Sequence, residues 1–416
     1  LAASSVSDSA TFQQATLPNG LRIAAEIVPA AYTAAFGYFV RSGARDETDL
    51  ESGLSHFLEH MVFKGTARRT AAEVNRELDE LGGQSNAYTS EEQTVYYGTV
   101  LPKYQHRKVE LLTDLMRPTL LDADFQTERM VILEEIAKYE DQPPFGAFER
   151  SMESRYGLSG LGRRVLGTTE SIEAMTPELM RAYFEQRYQP SNMVLAASGN
   201  VDFDALVQQA TELTADWPTL PVPSKLLYPA PERSPGPLEP LSTKPVDNAL
   251  AYVVRHANAP NALSDDRIAM RLLSTILGDD GSSRLFWELI DTGRAEAAAT
   301  WTQEFLDSGL MFLYLSCAPE DVDSNLRLID EVLERVRRDG VEKDELERAI
   351  RKTTAAAIMQ SERPGSRLFS VGANWLTRNE YVGLDEIIAR YEAVSVDSIQ
   401  QLIQNYSMET ITEVRS

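Results

Sequence analysis

The elements that can be read from residues 246–416 repeat, in order, those read from residues 1–217, and this duplication constrains the fold more than any other feature. In the first half, residues 14–17 and 21–27 flank the Pro18-Asn19-Gly20 turn and read as a hairpin. Residues 34–41 are rich in β-formers (Phe36, Tyr38, Phe39, Val40), and a helix capped around Glu51-Ser52-Gly53 follows. Residues 70–81 form the next helix, with Thr70 and Glu73 as a capping box and Gly82-Gly83 as its stop. Strands at 84–89 and 93–101, helices at 104–116 and 122–140, and a buried strand at 193–198 complete the half. Residues 218–245 carry prolines throughout, among them Pro221, Pro223, Pro229, Pro231, Pro235, Pro237 and Pro240, and read as a stiff linker. Beyond it, 249–255 matches 35–41, and a helical region at 266–290 replaces the two early helices. Residues 297–305 and 309–317 then match the strand pair after Gly83, and 325–338 and 342–362 match the two long helices. Residues 385–406, closed by a strand at 410–414, match the end of the first half. Long helices on one set of strands describe an α+β layered domain. The prediction is therefore two homologous α+β domains, 1–217 and 246–416, each with an antiparallel-rich sheet packed with helices.

Composition narrows the function. At 416 residues and 43% hydrophobic content the chain is large enough for two cores. No run approaches the eighteen or so apolar residues of a membrane span, so a soluble protein is expected. The net charge of −23 argues against nucleic-acid binding and could favour cationic peptides. The single cysteine, Cys317, excludes an internal disulfide. Residues 1–10 read as a loose terminus, and the absence of an initial methionine suggests a removed leader.

The chemistry concentrates at His56-Phe57-Leu58-Glu59-His60. On a helix, histidines four residues apart share one face, where they can hold a metal ion together. Glu59 lies within reach of a water bound to that ion. This is the H-x-x-E-H arrangement, the inversion of H-E-x-x-H, and its mechanical reading is a zinc peptidase. The alternative is a pair of surface histidines on an amphipathic helix. With only four histidines in the chain, the metal reading prevails. A catalytic zinc site takes three protein ligands and leaves the fourth position to water. His106 and His256 are isolated, and Cys317 sits in an apolar run, which leaves a carboxylate as the third ligand. Residues 127–136 embed Glu128, Glu134 and Glu135 among apolar positions of a helix, where a ligand and a solvated glutamate remain equally open readings.

Three stretches together, His56 to His60, Gly82-Gly83-Gln84-Ser85-Asn86-Ala87-Tyr88-Thr89 and Val131-Ile132-Leu133-Glu134-Glu135-Ile136, resemble the M16 family of zinc peptidases in its single-module form. The likeness covers nearly the whole chain and extends to Leu161–Gly167 and Tyr188–Met193. It implies Glu135 as the third Zn²⁺ ligand beside His56 and His60, with Glu59 as general base. Glu128, two turns before Glu135, would orient the ligands, and Glu134 would face outward. The likeness further implies a clamshell whose halves close on a chamber, the second half lacking the metal motif. Asn86 and Ala87 match positions that line a substrate-binding strand edge, although an ordinary turn after Gly82-Gly83 would look the same. The expected activity is that of a zinc metalloendopeptidase acting on unfolded or extended peptides in the bacterial cytoplasm or periplasm, the cytoplasm ahead. The competing class is a non-catalytic structural or docking subunit.

One departure from the family pattern bears on partners. Ser283-Arg284-Leu285-Phe286-Trp287-Glu288-Leu289 is similar to a second-domain stretch that, in self-sufficient members, continues with an arginine and, seven residues later, a tyrosine. That pair reaches the substrate carbonyl. Here the positions hold Ile290 and Ala297, and Arg294 nearby has no tyrosine at the same interval. The expectation is a heterodimer in which a homologous subunit supplies the pair, with a homodimer as the alternative.

Overall fold

The computed structural model describes residues 10–140, 143–224, 241–242 and 250–415. The first half runs β1 (Thr11–Thr16), β2 (Arg22–Ile27), β3 (Ala34–Val40), α1 (Leu54–Val62), α2 (Ala71–Glu80), β4 (Gln84–Thr89), β5 (Thr94–Val100), α3 (Gln105–Leu115) and α4 (Asp122–Glu140). It continues with α5 (Pro143–Tyr156), α6 (Thr169–Ala174), α7 (Pro177–Arg187), β6 (Met193–Gly199) and α8 (Phe203–Leu213). The second half runs β7 (Leu241–Ser242), β8 (Ala251–Ala259), α9 (Asp266–Gly278), β9 (Ala297–Glu304), β10 (Gly309–Cys317), α10 (Val322–Asp339) and α11 (Lys343–Ser361). It ends with α12 (Pro364–Arg378), α13 (Leu384–Glu392), α14 (Val396–Asn405) and β11 (Thr412–Arg415).

The expected α+β class is found, with a sheet in each of two compact units. The units are not the contiguous halves 1–217 and 246–416, because each takes in a segment of the other half. Unit one combines residues 1–136, 163–226 and 359–383, and unit two combines 137–162, 227–358 and 384–416. The physical reason is a second sheet face that the flanking helices of its own half leave bare. In unit one the sheet order is β1-β2-β6-β3-β5-β4, antiparallel except for β2 with β6. Strand β3 is buried along its whole length, and its alternation serves two cores. Phe36, Tyr38 and Val40 join the core that includes Leu54, Phe57 and Leu58 of α1, whereas Ala35 and Phe39 join Leu368, Val371 and Trp375 of α12. Unit two repeats this with the order β7-β11-β8-β10-β9, and α5 covers β8 and β11 through Met152, Val254 and Val414.

Helix α12 is also anchored by charge. Arg367 donates from Nε to Glu26 Oε1 at 2.8 Å and Oε2 at 3.1 Å and from Nη2 to the same carboxylate, while Tyr381 donates to Glu26 Oε2 at 2.8 Å. Both charged residues are buried. Removing one partner of such a pair strands a buried charge, at a cost of about 3–5 kcal/mol, whereas replacing both with apolar groups can be near neutral. Arg367→Ala should therefore lower the melting temperature sharply, and Glu26→Leu with Arg367→Met should recover most of the loss. Calorimetry of the wild type and these two variants checks this, and a double variant no more stable than Arg367→Ala would refute it.

Two of the regions matched in the second half contain a break. The 266–290 region ends as α9 at Gly278 and resumes only as a single π-helical turn, Phe286–Ile290, because Gly278-Asp279-Asp280-Gly281 cannot carry the helix through. The 385–406 region breaks before Ser395, whose hydroxyl accepts from Ser398 N and starts α14. Much of the predicted linker at 218–245, and residues 1–9 of the predicted loose terminus, lie outside the described residues. Among the described residues, no helix is long and apolar enough to cross a membrane.

Candidate metal centre

Helix α1 presents Leu54, Phe57, Leu58, Met61 and Val62 to the core, an i, i+3, i+4, i+7, i+8 stripe. The stripe leaves His56, Glu59 and His60 on another flank, one turn deep. The cap falls within the expected 51–53, while the side chain that satisfies the helix start comes from further upstream. Gly53, at φ +87, is the N-cap residue, and a Cβ there would stand 2.5 Å from the Leu166 carbonyl oxygen. The first free N–H groups are taken by the buried Glu47 carboxylate, which accepts from Gly53 N at 2.8 Å and Ser55 N at 2.7 Å. Burial pushes the Glu47 carboxyl up to about 8 against those hydrogen bonds. Helix α4 is joined to α1 by stacking of Phe125 on Phe57, with ring centroids 4.6 Å apart. Its Glu128 and Glu135, seven residues apart, share one face, while Glu134 is exposed, as the sequence reading expected.

The two helices bring His56, His60 and Glu135 together, with one donor atom from each inside a 4.8 Å span. Glu135 Oε2 lies 3.8 Å from His56 Nε2 and 3.7 Å from His60 Nε2. These separations are too long for hydrogen bonds. They approach those between ligands of one tetrahedral ion bonded at about 2.0–2.2 Å. Burial, and then His60, pulls the His56 imidazole down to about 3, which keeps it neutral as a metal ligand requires. His56 Nδ1 is buried and has no hydrogen-bond partner among the described residues. His60 Nδ1 lies 3.3 Å from Glu128 Oε2, and Lys64 Nζ holds Glu128 Oε1 at 2.5 Å. The donor set therefore fits a small divalent ion of the zinc type, with a carboxylate behind one imidazole as such sites usually have.

Glu59 is half-buried beside this cluster. Thr89 donates from Oγ1 to Glu59 Oε2 at 2.6 Å. Burial raises the Glu59 carboxyl above its usual range, Thr89 and His60 oppose the rise, and Glu135 adds to it. Thr89 ends β4, one of the two edge strands of its sheet, with no further strand beside it among the described residues. Asn86 and Ala87 lie on the same strand. The Ala87 side chain is buried in the core, and its N–H donates to the exposed Asn86 Oδ1 at 2.9 Å. Any contact of Ala87 with a ligand is thus through its main chain. Thr89, Lys64 and Glu47 received no role from the sequence. Lys64 was the most findable, since it stands four residues after His60, the spacing of neighbours on a helix face.

A layered α+β unit with a two-histidine, one-glutamate centre and a glutamate beside it defines a metallopeptidase-like protein. Residues 22–169 match the family model described as insulinase (peptidase family M16), and residues 174–353 match the one described as peptidase M16 inactive domain. An uncharacterized zinc protease of Streptomyces coelicolor is 32% identical over 95% of this chain and 87% of its own length. The chain belongs to peptidase family M16. A probable mitochondrial-processing peptidase subunit beta of Arabidopsis thaliana is 27% identical over 94% of this chain and 75% of its own. The crystal structure of a Helicobacter pylori protease superposes with a TM-score of 0.89 at 21% identity, covering 98% of each chain.

Proposed function

We propose that this chain is a zinc-dependent endopeptidase acting on extended peptides, with His56, His60 and Glu135 as metal ligands and Glu59 as general base. The observation that carries the reading is the convergence of two imidazoles and a carboxylate within 4.8 Å beside a half-buried glutamate. Bound Zn²⁺ would supply a Lewis acid that polarises the scissile carbonyl and acidifies a water. Thr89 fixes Glu59 Oε2 and leaves Oε1 to take the proton of the attacking water and return it to the departing amine. Glu128 accepts the Nδ1 proton of His60, which keeps the Nε2 lone pair for the ion. Lys64 holds the second oxygen of Glu128 in place. The free edge of β4 offers main-chain donors and acceptors to a peptide in extended form, the strand-addition mode of recognition. The proposal includes the enclosed chamber that the family likeness implies, so that unfolded peptides and not folded proteins are substrates.

The same reading makes this chain the catalytic member of a two-chain enzyme. Ile290 closes the π-helical turn Phe286–Ile290 and Ala297 opens β9, and neither side chain can donate a hydrogen bond. A relative named as a subunit of a processing peptidase supports the arrangement.

Purified protein should hold about one zinc per chain. Chelation should abolish cleavage of an unstructured peptide without unfolding the protein, and Zn²⁺ should restore it. Glu135→Ala should lose the metal by elemental analysis while keeping the circular dichroism of the wild type. Undiminished cleavage by metal-free protein would overturn the reading.

A further inference from the structure

Lys108 of α3 is fully buried, and its Nζ donates to Ser85 Oγ on β4 at 2.6 Å. Among the described residues it has no carboxylate partner. A buried cation without a counter-charge is costly, and burial lowers the Lys108 ammonium to about 8. Space for it is made by Gly98 of β5, where a Cβ would stand 2.3 Å from Lys108 Nζ and 2.5 Å from Cε. Gln84, next to Ser85, is exposed, and Ser85 itself is only half-buried. The serine hydroxyl is thus the outward end of a buried positive charge.

Its position on the strand gives it a use. Side chains alternate along β4, so Ser85, Ala87 and Thr89 share one face. Ala87 enters the core there, Thr89 bonds Glu59, and Ser85 bonds Lys108. The lysine and the candidate base therefore serve the same face of a free edge strand, four residues or about 13 Å apart. A peptide added to that edge places its own alternate side chains on this face. The one opposite Ser85 has its Cβ about 5 Å away. An aspartate or glutamate there would accept from the Ser85 hydroxyl and supply the charge that Lys108 lacks. An amide would leave the cation uncompensated, and a lysine or arginine would be repelled.

We propose that Ser85 and Lys108 form a subsite for a carboxylate side chain of the bound peptide, four residues along from the one that faces Thr89. This rests on the strand-addition part of the function proposed above, and binding is measured separately from cleavage so that the two can fail independently. The probes are unstructured peptides of one sequence in which a single glutamine is replaced by glutamate at each position in turn. Binding is measured by fluorescence anisotropy to Glu59→Gln protein, and kcat/KM with the unaltered active site.

One position should favour glutamate over glutamine by about tenfold or more in Kd, the size of a charge-assisted hydrogen bond. The ratio should fall to near one in Lys108→Met and in Ser85→Ala, and Lys108→Arg should retain part of it. Ser85→Ala, at a half-buried edge position, guards against a folding defect in Lys108→Met. A glutamate preference that survives both variants, or its absence at every position, would overturn the subsite. Binding with the predicted ratio but no cleavage would instead strike the peptidase reading and leave the subsite standing.

Discussion

Glu59→Gln should keep both the metal and the fold while lowering kcat by about 10²–10⁴-fold, the usual contribution of a positioned general base. Glutamine matches glutamate in shape, and its amide oxygen can still accept from Thr89 Oγ1, which now holds Glu59 Oε2 at 2.6 Å. What the amide cannot do is take a proton. The loss should therefore fall on kcat, with KM little changed, because in the proposed mechanism the carboxylate acts on the reacting water and not on the peptide chain. Metal content measured on the same preparation separates this from a damaged centre. The proposed ligands His56 and His60 flank Glu59 on α1, so a helix distorted by the substitution should lose metal content. A metal-loaded variant working within about tenfold of the wild-type rate would remove Glu59 from the role of base.

The metal helix was legible in the sequence because two periodicities coincide on it. The apolar residues Leu54, Phe57, Leu58, Met61 and Val62 fix which face is buried, and the H-x-x-E-H residues fall on a flank that they leave free. The capping box at 70–73 was equally legible, since its signals are local. Glu73 N donates to Thr70 Oγ1 at 3.3 Å, and Thr70 N donates to Glu73 Oε2 at 2.8 Å. Glu47 was not, because a loop rather than a helical repeat carries its carboxylate to the start of α1.

Helices α5 and α12 were missed for a larger reason. Each covers the sheet of the unit built mainly from the other half of the chain, so the residues that explain its apolar positions are remote in sequence, Val254 and Val414 for Met152, and Phe39 for Leu368. Pro364 opening α12 also reads as a breaker until it is seen at the first turn, where proline is tolerated. Lys108 read as one more polar position of a helix. Its burial, its bond to Ser85 and the packing of Gly98 against its ammonium show that the charge points inward.

The isolated chain should be a weak enzyme, with full activity restored by a homologous second chain, a difference of about a hundredfold or more. The reason lies in the developing oxyanion. A metal ion and one carboxylate stabilise part of the charge that forms at the scissile carbonyl, and donors aimed at that oxygen commonly account for the remainder; loss of one such donor costs about 10²–10³ in kcat. The family likeness places an arginine and a tyrosine at this task, in the positions that hold Ile290 and Ala297 here. Arg294 nearby has no tyrosine seven residues on, where Trp301 stands. Arg294 is exposed, in the turn between the π-helical segment and β9. The register rests on the Ser283-Arg284-Leu285-Phe286 anchor of the family likeness, and Leu285 and Leu289 of this stretch are core residues of their unit. A homologue that keeps the arginine and tyrosine but lacks H-x-x-E-H would complement this chain, each supplying what the other is missing. The experiment assays the zinc-loaded chain alone, then with such a homologue, then with a homologue whose arginine and tyrosine are replaced by isoleucine and alanine. Activity should rise only with the intact homologue. A second route to the same answer is Ile290→Arg with Ala297→Tyr in this chain, which should raise the rate of the chain alone. If the unaltered chain turns over at full rate by itself, and neither the homologue nor the double substitution changes that rate, the two-chain assignment fails and the metal centre is sufficient.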